Sequence, residues 1–451
     1  MGIDIGIELL TLIMFGSLLA LLMAGLPLAF VTGGLACVFL FVLGDARALN
    51  IVPSRIFPLM TNYQLSAIPL FIFMAAMLER AGIINDMFDV IYKVLGGVKG
   101  GLASATIIAS TILAAMVGVI GAAVVTMGII ALPAMLKRHY DPKIAMGSIM
   151  AGGTLGILIP PSILAIIYAV VAEQSVGELF IGAVIPGLLL SGMYIFYVTA
   201  RCYINPDLGP AIPVEERISN REKARLVGKM TAPITLVVVV LGIIFSGIAT
   251  PVEAAGIGTF GAFVVAAIHR KLDWPTVREA CITTLKASAM VIWIMFGATI
   301  FVGLYVLEGG QQFVQDALAA TGLGPWGILI LMQMLLVILG MFLDWVGILL
   351  LCVPIFVPII KALGAQAFGL ETPEDLVLWF GVLYLVNMQM SFLSPPFGYA
   401  LFYLRGVAPP EIPMTDIFKA ALPFLALQIF GLVLCMVFPE IITWLPRLVY
   451  G

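Results

Sequence analysis

Ile159-Pro160-Pro161-Ser162 and Ser394-Pro395-Pro396-Phe397 are the two stretches whose reading decides the fold. Each lies in the middle of an apolar run of single-helix length, 145–173 and 378–404. An apolar helix of about 20 residues spans the hydrocarbon core of a bilayer. Two consecutive prolines remove two backbone donors and clash with the preceding turn, so each run must break at its proline pair. In lipid a broken helix is tolerated only where protein or a water-filled cavity surrounds the break. The two pairs therefore predict membrane helices interrupted inside the protein.

Composition agrees. Of 451 residues, 62% are apolar and 10% charged, against roughly 45–50% and about 25% in a soluble domain. So few charges cannot cover a soluble globule of this size, and disorder needs the opposite balance. A net charge of −3 gives no reason to expect a nucleic-acid partner. Two histidines and five scattered cysteines show no CxxC and no ligand spacing, which excludes a zinc site or a disulfide framework as the organising principle. There is no HExxH, GxSxG or Walker loop, so neither an enzyme constellation nor ATP-driven transport is expected from this chain. Asp4 and Glu8 stand where a secretory signal carries basic residues, so Glu8 to Met23 reads as a retained first membrane helix.

Apolar runs predict further helices near 26–43, 66–81, 181–200, 231–248, 252–268, 287–307 and 417–438. The stretches 102–136 and 327–360 are too long for one helix. The first is interrupted at Gly118-Val119-Ile120-Gly121, the second between Gly340 and Gly347, and both read as re-entrant hairpins. With hairpins there, crossings at the prolines and the N-terminus outside, 18 of the 22 basic residues fall on the cytoplasmic side, a strong positive-inside bias.

Pro133, Pro160 and Pro186 then pair with Pro354, Pro395 and Pro423. The chain reads as an all-α polytopic membrane protein with an inverted-topology repeat. Residues 1–200 form the first repeat, with scaffold helices over 8–43, and 231–438 the second, with scaffold helices over 231–268. Between them lies an amphipathic cytoplasmic arm, 201–230, with no catalytic role expected; 439–451 is a tail. Discontinuous helices at the bilayer midplane, between inverted repeats, are where secondary transporters bind ions and substrate.

The residue types suit that purpose. A dehydrated Na⁺ needs oxygen ligands, and carbonyls are expected around Gly118–Ala122, at Gly156 and at Ile159. Thr154 and Ser162 add hydroxyls; Gly340, Asp344, Asn387, Ser391 and Ser394 are the second-half counterparts. Ser391 and Ser394 stand one helical turn apart beside the break. Asp344 is a carboxylate in the middle of an expected intramembrane segment, where charge is costly and functional by default. Thr154, Ser162, Asp344 and Asn387 are the candidates for substrate contact.

At these motifs the sequence resembles a known family. Ala151-Gly152-Gly153-Thr154-Leu155-Gly156-Ile157-Leu158-Ile159-Pro160-Pro161-Ser162 and Asn387-Met388-Gln389-Met390-Ser391-Phe392-Leu393-Ser394-Pro395-Pro396-Phe397-Gly398 resemble the paired signatures of the large membrane subunit, DctM type, of TRAP transporters. The stretch from Val117-Gly118 to Pro133-Ala134-Met135 resembles its first hairpin, and the likeness covers essentially the whole chain.

The resemblance implies an elevator-type transporter of the bacterial inner membrane, driven by Na⁺ and importing an organic acid or other carboxylate. It implies two partners, a small four-helix membrane subunit (DctQ type) and a periplasmic substrate-binding protein, and no enzymatic activity. It places one sodium site at Gly118, Gly121, Gly156, Ile159 and Pro161. It places a second at Gly340, Ser391, Ser394 and Phe397. Relatives often carry a serine-rich first hairpin tip, whereas this chain has Gly118-Val119-Ile120-Gly121, so a site there must rely on carbonyls. The residues alone leave open a stand-alone ion-coupled carboxylate carrier of similar fold.

Overall fold

The computed structural model describes residues 5–44, 46–117, 120–213, 217–341, 343–396 and 398–450. Among them every regular element is helical. Helices α1 (Ile7–Met23) and α2 (Leu28–Gly44) are followed by α3 (Ile51–Met60), which bends by 62° into α4 (Ala67–Arg80). The amphipathic α5 (Ile83–Leu95) then leads into α6 (Gly101–Val117) and α7 (Ile120–Lys137), two consecutive helices that pack on each other.

The first proline-paired run is α8 (Pro142–Thr154), a 3₁₀ turn over Leu155–Ile157, and α9 (Ile163–Ala172). Helix α10 (Val176–Ile204) closes this part. After α11 (Asn220–Val227) come α12 (Thr231–Phe245), α13 (Pro251–Ile268) and the long α14 (Trp274–Leu307). The order then returns: a short α15 (Gly310–Ala320), the packed pair α16 (Pro325–Gly340) and α17 (Trp345–Leu363), and a second broken run, α18 (Pro373–Leu393) and α19 (Tyr399–Val407). The chain ends with α20 (Met414–Val437) and α21 (Glu440–Tyr450). Among the described residues seven helices are long and apolar enough to cross a membrane, or up to nine if each bent pair counts as one span.

Both breaks fall at the prolines, and Pro160–Pro161 and Pro395–Pro396 are cis. Three helices exceed the sequence expectation. α3, α5 and α15 are short, and α5 and α15 are amphipathic, so no apolar run announces them. α5 buries Ile83, Ile84, Met87, Phe88 and Ile91 and turns Asp86 and Asp89 outward. The segment 439–451, expected as a tail, is mostly helix. Arg447 of α21 pairs with Asp375 at 2.8 Å and Glu371 at 3.4 Å, which ties the chain end to the start of α18.

Packing sorts the helices into two groups. α2, α4, α13 and α14 pack together, while α6–α10 pack with α18–α20 and α16–α17. Gly33 and Gly297 bring α2 and α14 into backbone contact: a Cβ on Gly297 would lie 2.7 Å from the Ala29 carbonyl oxygen. Small residues drive helix association in lipid because dispersion replaces the hydrophobic effect there. Gly297→Ala is accordingly expected to destabilise the protein by about 1–3 kcal/mol, read as a lowered melting temperature in detergent.

The arm keeps close to the first group. Leu208 and Gly209 accept hydrogen bonds from Asp141 and Gly100 at 3.0 and 2.9 Å, and the Ile212 N–H donates to Gly96 at 2.7 Å. Tyr140, beside this seam, accepts from the Leu102 N–H, and burial pushes its phenol up to about 12. Large apolar side chains such as Phe196, Phe260 and Val433 face outward, as hydrocarbon surroundings allow.

Candidate functional site

Local chemistry builds each break. Asp141 caps α8 by accepting from Lys143 at 2.9 Å and Ile144 at 3.2 Å, with Pro142 in the first turn, where its missing N–H costs nothing. After Thr154 the helix tightens, because the Leu158 N–H donates to Leu155 rather than to Thr154. Pro160 and Pro161 have no N–H, so Gly156 and Ile157 lose the donors that would serve them in a continuing helix. The Ser162 hydroxyl fills one vacancy by donating to the Ile157 carbonyl, and it accepts the Ala165 N–H at 3.3 Å as the cap of α9. The Gly156 carbonyl has no such substitute in sequence.

The second break follows the same logic with more hydroxyls. Pro395 removes the helical donor of Ser391, whose carbonyl takes the Ser394 N–H at 3.2 Å instead. Ser394 Oγ donates to Met390 at 2.7 Å, and the Gly398 N–H donates back to the Ser394 carbonyl at 3.0 Å. Glycine is required at 398, since a Cβ would sit 2.6 Å from the Phe392 carbonyl oxygen and 2.7 Å from that of Ser394.

The structure brings three members of the expected second sodium set together. Gly340, at the end of α16, lies so close to Ser391 in the last turn of α18 that an added Cβ would land on its side chain, and Ser394 caps that helix three residues on. In the first set Gly156, Ile159 and Pro161 share one break, packed against α6 and α7. Gly121 faces the Tyr403 ring of α19 instead. Gly118 and Phe397 lie outside the described residues.

Of the substrate candidates, Thr154, Ser162 and Asn387 are fully buried and internally hydrogen-bonded. Asn387 donates to both the backbone and side-chain oxygens of Gln333, at 2.9 and 2.7 Å, which clamps α18 to α16. Asp344 caps α17 by accepting the Val346 N–H at 3.3 Å. It also lines a cavity of about 720 Å³ between the two helix groups, with Tyr399 and Tyr403 on one wall and Leu28, Phe30 and Trp293 on the other.

The sequence reading singled out hydroxyls, a carboxylate and Asn387, and passed over the glutamines. Gln333, Gln389 and Gln428 are buried within otherwise apolar helices. Gln389 reaches from α18 to the Thr154 carbonyl at 3.1 Å, and Gln428 from α20 to the Thr154 hydroxyl at 3.3 Å. The signal was present: an uncharged amide inside a membrane helix is retained against a transfer penalty.

The architecture is that of an all-helical, multi-pass membrane protein. It aligns with the Alcanivorax borkumensis YdaH transporter over 95% of this chain and 99% of that one, at a TM-score of 0.65 and 15% identity. It aligns with Neisseria gonorrhoeae MtrF at a TM-score of 0.59 and 13% identity, over 88% and 85% of the two chains. Within that class, the DctM component of tripartite ATP-independent periplasmic transporters matches residues 15–441, and the chain belongs to this family. The C4-dicarboxylate TRAP large permease DctM of Pseudomonas aeruginosa is 32% identical over 91% of this chain and 92% of its own length. The Vibrio cholerae sialic acid permease SiaM is 29% identical, covering 92% and 93%. The Ruegeria pomeroyi ectoine/5-hydroxyectoine permease UehC is 28% identical, also covering 92% and 93%. The protein is thus a multi-pass TRAP transporter large permease, and the family is one of transport proteins, not enzymes.

Proposed function

We propose that this permease imports an organic acid or other carboxylate across a bacterial inner membrane, driven by Na⁺, through an elevator motion. The observation that carries the reading is the pair of buried proline breaks, each backed by a close-packed helix pair. Neutral carbonyl and hydroxyl oxygens crowd these breaks, a hard donor set that suits Na⁺, and among the described residues no cluster of three His, Cys, Asp or Glu offers a transition-metal site. Gly118, Gly121, Gly156, Ile159 and Pro161 would serve the first ion; Gly340, Ser391, Ser394 and Phe397 the second.

The two proline-centred units, within repeats 1–200 and 231–438, form the moving body. α2, α4, α13 and α14 form the wall it slides against. Asp344 at the gap attracts cation into a cavity whose lining, among the described residues, includes no lysine or arginine. The anionic substrate is then met by helix N-termini and polar groups together with that cation. Names of relatives, which include a dicarboxylate and sialic acid, favour an acid as cargo. A tripartite family calls for two partners, a DctQ-type small membrane subunit and a periplasmic binding protein.

Uptake into proteoliposomes holding this chain with its small subunit tests the reading. Accumulation is expected only with the loaded binding protein outside and an inward sodium gradient. Transport that ignores the sodium gradient, or proceeds without the binding protein, overturns it.

A further inference from the structure

Thr154 and Gln389 occupy matching places in the two broken helices: each precedes its proline pair by six residues. They also touch. The Gln389 amide donates to the Thr154 carbonyl at 3.1 Å, across a sequence separation of 235 residues. That carbonyl is available because the helix tightens after Thr154, so that the Leu158 N–H turns to Leu155. A side chain from the second break thus takes up the acceptor that unwinding the first break releases.

The surroundings leave no substitute. Thr154, Gln389, Gln428 and Tyr194 are all fully buried, and the amide oxygen of Gln389 has no hydrogen-bond partner. Gln428 holds the Thr154 hydroxyl from α20 at 3.3 Å. A fold that needed only packing here would be served as well by an apolar side chain of the same shape, since a half-satisfied buried amide is a liability.

We infer that Gln389 is a positioning residue that couples the two cation sites. Gly156, in the 3₁₀ turn of the first break, and Ser391, in the last turn of α18 before the second, each lie two residues beyond the hydrogen-bonded pair. An ion that fixes the carbonyls of one break orders the turn that holds the other, and linkage makes the effect mutual. This rests on the reading of the two breaks as sodium sites.

The test is Gln389→Met, which keeps length and apolar volume but removes the hydrogen bond. With the small subunit and binding protein, the native permease should show a steep sodium dependence of uptake, with a Hill coefficient of about 2. The variant should fall to about 1, with half-saturating sodium raised about fivefold or more. Its melting temperature should fall only modestly, because the Thr154 carbonyl loses its donor while an orphaned amide oxygen is also removed; the slope is the deciding readout, since a merely structural role would lower the melting point and leave the slope alone. Gln389→Asn, still polar but one methylene short of the carbonyl, should show the same loss of slope, and it decides the matter if the methionine variant does not fold. Variants that keep the native slope and midpoint overturn the coupling while leaving the sodium sites intact. A native protein indifferent to sodium overturns the sodium reading itself.

Discussion

Gly398→Ala is expected to stop transport while leaving a folded, membrane-inserted protein. The new methyl would sit 2.6 and 2.7 Å from the carbonyl oxygens of Phe392 and Ser394. These are backbone atoms of the second break, so no side-chain rotation relieves the contact. The unwound turn itself must move, and it is the turn that presents Ser394 and continues directly from the last turn of α18, which holds Ser391. A clash of about 3 kcal/mol confined to a binding turn corresponds to about a hundredfold loss of sodium affinity. Gly406→Ala, ten residues beyond Pro396, adds a methyl with nothing within 4 Å and serves as the matched control. Sodium-dependent uptake measured side by side decides the matter; comparable rates for the two variants would remove the second break from the mechanism.

Asp344→Asn separates two roles that one carboxylate combines. Asparagine caps a helix as well as aspartate does, so α17 should keep its first turn and the protein its melting temperature. The charge facing the cavity is lost. If that charge draws cation into the gap, uptake falls at least about tenfold, the equivalent of about 1.4 kcal/mol. Asp344→Ala should lose the cap as well and melt lower, by roughly 1 kcal/mol of stability. An asparagine variant that transports like the native protein would reduce Asp344 to a helix cap.

What could be read in the sequence followed from backbone rules. Proline lacks a donor wherever it stands, so the breaks at 160–161 and 395–396 needed no knowledge of neighbours. The long apolar helices and the interruption near Gly340 follow equally from local pattern. What escaped depends on partners far along the chain. α5 and α15 are amphipathic because one face packs against the helix bundle, a fact invisible to a hydropathy window. The pairing of Gln389 with Thr154 joins residues 235 positions apart, and nothing local to either announces the other. Asn387, read as a substrate candidate from its polarity, donates its amide to Gln333. Its place on the face of α18 toward α16 decides that use, and one sequence does not reveal facing.

The two broken helices meet at a second place. The Tyr168 hydroxyl of α9 donates to the Val377 carbonyl of α18 at 3.0 Å, and the Tyr168 ring stacks on Tyr384 with centroids 5.9 Å apart. Gly381 makes room, since any side chain there would strike that ring. Along one run the attachments fall at 154 and 168, along the other at 389 and 377, in opposite chain directions. A single bolt lets two bars scissor; two bolts make them a plate. Both sides of the first break, α8 and α9, are thus fixed to one unbroken helix, α18, so that break opens only by releasing an attachment, whereas α19, beyond Pro395–Pro396, carries neither and is the arm left free to bend.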